Sequence, residues 1–95
     1  MMGRELVLQQ TIETEEGKRY LLEYYLLSDV AEVPERYGVS IIKTGEGCYE
    51  SQSIRELSPI KSQALRFLYM LGEGKVTPVS LFDVADNFLS CEYAY

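Results

Sequence analysis

Along the first half of this chain polar and apolar residues alternate. In the last third the apolar residues recur at helical spacing. Residues 5–13, ELVLQQTIE, put Leu6, Leu8 and Ile12 on one side, with Gln10 among them, and Glu5, Gln9, Thr11 and Glu13 on the other, where only Val7 is apolar. That period of two describes a half-buried strand. Thr14-Glu15-Glu16-Gly17 then reads as a hairpin turn. The return strand is residues 18–28, KRYLLEYYLLS, the most apolar stretch of the chain. Tyr20, Leu22, Tyr24 and Leu26 share one face; Leu21, Tyr25 and Leu27 share the other, interrupted by Glu23. Strands apolar on both faces are central, or have their second face covered. A helix is the competing assignment, and the tyrosines and the preceding turn favour strand.

Pro34 and its charged neighbours make residues 29–36 a connection. Residues 37–43, YGVSIIK, align Tyr37, Val39 and Ile41 as a third strand. Thr44-Gly45-Glu46-Gly47 is a second turn, and residues 48–54, CYESQSI, are a polar fourth strand suited to a sheet edge. Arg55, Glu56 and Leu57 lead into the helices.

Ser58-Pro59 and Thr77-Pro78 each offer a hydroxyl at the N-cap and proline at the first helical position. They open helices predicted at 59–72 and 78–90, with Gly72 and Gly74 marking the stop between them. Ile60, Ala64, Phe67, Leu68 and Leu71 form the apolar stripe of the first. Leu81, Phe82, Ala85, Phe88 and Leu89 form that of the second. The prediction is one α+β domain over residues 1–95. Two hairpins make an antiparallel four-stranded sheet, and a two-helix hairpin packs on the face carrying Leu6, Leu8 and Ile12.

At 95 residues the chain is long enough for one core. Its net charge of −6, with scattered bases and none from Val76 to Tyr95, argues against binding nucleic acid or an anionic membrane surface. No apolar run approaches the ~20 residues of a membrane helix, and the N-terminal residues lack a signal-peptide core. The expected location is the cytoplasm, where Cys48 and Cys91 are free thiols.

Candidate chemistry is sparse. There is no histidine, so no Ser-His or Cys-His pair can form within the chain. Gly72-Glu73-Gly74-Lys75 resembles a phosphate loop only superficially, since Tyr69 and Val76 stand where glycine and Ser or Thr are needed. Asp83, Asp86 and Asn87 share a helical face, which reads as a solvated surface before it reads as a cation site. Glu23, the one acid inside an apolar run, is expected to pair with Arg19 or with a base on a neighbouring strand, or simply to be exposed. The expectation is no enzyme, no metal and no cofactor.

Eight tyrosines against no tryptophan are the unusual feature. Tyr20, Tyr24 and Tyr37 serve the core. Leu21, Tyr25, Leu27 and Tyr49 fall on the outer sheet face. Two explanations stand side by side: a contact surface, because aromatic and aliphatic residues together mark one, or a face covered by the 29–36 connection or the C-terminal tail. The expected role is a small interaction or regulatory module whose partner is another protein or a second copy, as a homodimer. The alternative is a binder of a small apolar or aromatic ligand between sheet and helices.

The YGVSIIK strand and the VTPVSLFDVADNFL ending resemble a family of small bacterial proteins of about this length, labelled a domain of unknown function. The resemblance covers most of the chain. Its motifs are structural and imply no activity, ligand or catalytic residue.

Overall fold

The structure, a computed structural model, describes residues 2–29 and 36–93. Strands β1 (Met2–Glu13), β2 (Arg19–Asp29), β3 (Arg36–Gly45) and β4 (Cys48–Ser58) form one antiparallel sheet in sequence order. Helix α1 (Lys61–Glu73), a 3-10 turn (Pro78–Ser80) and helix α2 (Leu81–Tyr93) follow. The architecture is α+β. The chain 30–35, which holds most of the expected connection, lies outside the described residues, as does the tail end at 94–95.

Both described turns follow from their residues. In the first, Thr14 exchanges backbone bonds with Lys18 and Gly17, and Gly17 takes φ +85°. In the second, Glu46 and Gly47 lie at φ +50° and +74° between the paired Gly45 and Cys48. Two positive φ values in a two-residue loop match the right-handed strand twist.

The sheet departs from strict alternation twice. Leu6 is opposite Tyr25 and Leu8 is opposite Tyr24, so Val7 is an extra residue, a β-bulge. The bulge inverts the phase of β1. Leu8, Gln10 and Ile12 join Tyr20, Leu22 and Tyr24 on the inner face, while Leu6 turns outward and is 43% exposed. This corrects the expected grouping of Leu6 with Leu8 and Ile12. Val7 packs against the core in its place.

The second irregularity faces Gly38. Tyr37 pairs with Ser58 and Val39 with Ile54, so β4 carries three residues past a single glycine. A Cβ on Gly38 would lie 2.1 Å from the Ile54 carbonyl oxygen, so only glycine fits this approach. The detour brings Leu57 into the core and carries β4 to Ser58, beyond the expected end at 54.

α1 contacts all four strands, and α2 contacts β4. Both helices use the sheet as a partner, on one of its faces, as expected. Leu22, Tyr24, Val39, Ile41, Ala64, Phe67, Leu68, Leu71 and Leu81 are fully buried between sheet and helices. Two stripe assignments need correction. Ile60 is the N-cap of α1 and is 55% exposed. Phe82 is 51% exposed because α2 turns Leu81, Val84 and Ala85 to the core instead. The side chains of Phe88, Leu89 and Cys91 lie outside the described residues.

The hydroxyl caps also act differently from their sequence signals. Ser58 stays in the strand, accepts the Ile60 N–H at 3.0 Å and donates to Gln63 Oε1. It thereby organises the chain two residues before the N-cap of α1 rather than capping the helix itself. Thr77 is the N-cap of the 3-10 turn, with no side-chain cap bond, and Pro78 fills its first position.

Gln10 joins the layers. Its Nε2 donates to the Gly72 carbonyl at 2.7 Å and to the Tyr24 hydroxyl at 3.3 Å, and that hydroxyl donates to the Val76 carbonyl at 2.9 Å. The end of α1 and the chain beyond it are thereby tied to the sheet, the Gly72 carbonyl also accepting the Lys75 N–H at 3.1 Å. Burial raises the Tyr24 pKa above 10.0, partly opposed by the Gln10 hydrogen bond.

Candidate interaction surface

The face of the sheet turned away from the core is built by four strands. β2 contributes Leu21, Glu23, Tyr25 and Leu27. Across β3 these pair with Thr44, Ile42, Ser40 and Gly38. β4 adds Tyr49 opposite Thr44, Ser51 opposite Ile42 and Ser53 opposite Ser40. β1 adds Leu6 beside Tyr25 and Arg4 beside Leu27. Cross-strand neighbours share a face, so Leu21, Tyr25, Leu27 and Tyr49 belong to one surface.

Their exposure differs. Tyr49 is 68% exposed, Leu21 and Tyr25 are intermediate, and Leu27 is only 7% exposed. Ile42 is buried too. Neither Leu27 nor Ile42 belongs to the core cluster beneath the helices. The outer face therefore holds a small apolar layer of its own.

Polar groups arrange that layer. The Arg4 guanidinium lies 4.5 Å from the centre of the Tyr25 ring, a cation–π contact. The Tyr25 hydroxyl donates to Glu23 Oε2 at 3.1 Å. The Tyr25 pKa is raised, first by burial and next by the bond to Glu23, whose negative charge disfavours a phenolate. Ser53 donates to Ser40 at 2.9 Å. The expected partners of Glu23 are corrected: Tyr25 bonds it, while Arg19 pairs with Glu13 at 3.4 Å.

Leu6 and Ile42 extend the surface and escaped the sequence reading. Leu6 was hidden by the bulge. Ile42 had a signal: it follows Ile41, so the third strand is apolar on both phases.

Beyond this face, Tyr49 also lines a shallow groove of about 380 Å³ with Glu50, Ser51, Gln52, Pro78 and Val79. Val79 is 76% exposed. A second open depression is lined by Ile60, Ser62, Gln63 and Arg66. Among the described residues no three His, Cys, Asp or Glu side chains gather as a metal would need, and no helix is long and apolar enough to cross a membrane.

No curated protein and no solved structure matches the chain. A family model does, over residues 4–91. That span takes in nearly all of β1 and α2 and the whole of the elements between them, and by it the chain belongs to a family of unknown function, DUF6514.

Proposed function

We propose that this protein is a non-enzymatic interaction module that pairs with a second copy of itself through the outer face of its sheet. The observation that carries this is the concentration of Leu6, Leu21, Tyr25, Leu27, Ile42 and Tyr49 on the face opposite the helices. Arg4 and Glu23 lie on the same face, so a two-fold arrangement can bring unlike charges together. Area supports the choice. Four strands spaced about 4.8 Å apart and about 35 Å long offer roughly 700 Å² per copy. Two copies would bury about 1,400 Å², above the ~1,000 Å² expected of a specific interface.

Between sheet and helices, Leu22, Tyr24, Val39, Ile41, Phe67, Leu68 and Leu71 are fully buried in one cluster, which favours this reading over a ligand held there. Sedimentation velocity across roughly a hundredfold range of concentration tests the proposal. The expected result is a monomer–dimer equilibrium that Tyr25→Glu or Leu21→Glu abolishes while the circular dichroism spectrum is kept. A monomer at every concentration would sink it.

A further inference from the structure

Large apolar side chains are exposed away from the outer sheet face as well. Val79 is 76% exposed, Tyr49 68% and Phe82 51%. Tyr49 and Val79 line the same groove. Phe82 follows Val79 by three residues, so the two project from one side of the chain as it enters α2. The groove's β4 wall is four consecutive residues, Tyr49 to Gln52, which alternate between the two sheet faces. Residues of both faces can line one groove only along the edge of a strand, and β4 is the last strand of the sheet. Edge backbone next to exposed apolar anchors is the arrangement to which an extended segment adds.

Charge selects the occupant. Asp83 and Asp86 are exposed on the ridge that carries Val79 and Phe82. No lysine or arginine occurs from Val76 to Tyr95. Glu50 adds a third carboxylate at the groove, partly offset by Lys43 at 3.4 Å. Apolar contacts bordered by carboxylates fit a segment that alternates apolar and basic residues.

We propose that the β4 edge and the ridge of the 3-10 turn and α2 dock an extended, basic segment of another protein, with apolar side chains seated against Tyr49, Val79 and Phe82. This surface is separate from the one assigned to self-pairing, apart from Tyr49 and Ser51, which border both.

The test is fluorescence anisotropy with a labelled peptide of about eight residues alternating lysine and leucine. Two controls replace lysine by glutamate or leucine by serine. The lysine–leucine peptide should bind at least about tenfold more tightly than either control. The double substitution Val79→Ser and Phe82→Ser should weaken it by about tenfold or more, and Asp83→Asn with Asp86→Asn should lessen its salt dependence. Tyr25→Ser, on the other face, should leave binding unchanged. Equal binding of the lysine–serine peptide would overturn the proposal by reducing the effect to bulk charge. So would unchanged binding by the Val79 and Phe82 variant. Self-association of the unliganded chain abolished by that variant would make a second copy the occupant, and would also overturn it. Failure of the Tyr25→Glu sedimentation experiment would leave this result untouched.

Discussion

Tyr24 and Tyr25 are neighbours in sequence and sit on opposite faces of β2. Tyr24 is fully buried and bonds to Gln10 and the Val76 carbonyl, tying the strand to the chain beyond α1. Tyr25 lies under Arg4 and bonds to Glu23, two groups of its own sheet face. One ring binds layers that are distant in sequence, and the other organises a surface. A two-residue period separates structural from interactive chemistry within a single strand, which is why β2 is apolar on both sides.

The contrast between buried and exposed aromatic residues should be largest in the helices. Phe67→Ala removes a side chain with no exposure and should cost about 3–5 kcal/mol in chemical denaturation. Phe82→Ala, from a half-exposed site, should cost under about 1 kcal/mol. Equal effects would break the orientation assigned to α2.

Gly38→Ala comes next. Its Cβ would meet the Ile54 and Arg55 carbonyl oxygens, which are backbone and cannot swing aside. A loss of about 3 kcal/mol is expected by the same measurement. A neutral effect would mean that the β3–β4 irregularity relaxes, and with it the placement of Leu57.

The tyrosine pair itself gives the next comparison. Tyr24→Phe should cost about 1 kcal/mol through the lost hydrogen bonds, and Tyr25→Phe no more than about 0.5 kcal/mol. The Tyr24 pKa also has a sign to check. Its folded pKa lies above the ordinary phenol value of 10.0, so below pH 10 both folded and unfolded chains hold the proton. Above that, the unfolded chain releases it first, and stability falls until the folded pKa is passed. Denaturation midpoints measured upward from pH 9 should decline, and less steeply in Tyr24→Phe.

The smallest effect belongs to Lys61→Ala, at an exposed position in the first turn of α1, where no more than about 0.5 kcal/mol is expected.

Local chemistry made much of this fold legible. The turns were readable because Gly17, Gly45 and Gly47 stand at positive φ, with Glu46 between the last two. β2 was readable as central and β4 as an edge because burial on two faces and polarity leave opposite compositions. The α1 stripe was readable because Ala64, Phe67, Leu68 and Leu71 repeat at helical spacing. For the outer face, Leu21, Tyr25, Leu27 and Tyr49 followed from alternation alone.

Tertiary contact decided the rest. The Val7 bulge, which sends Leu6 outward, depends on register with β2 and leaves no mark on the β1 pattern. Which of Phe82 and Val84 faces inward depends on how α2 is rotated against β4, since both lie beside Leu81 and Ala85 on the helical wheel. Gln10 looked like a flaw in an apolar row until Gly72 supplied a carbonyl 62 positions away. Periodicity names the faces of each element because it is a property of one segment. Register, rotation and long-range hydrogen bonds belong to pairs of segments, and only the assembled chain determines them.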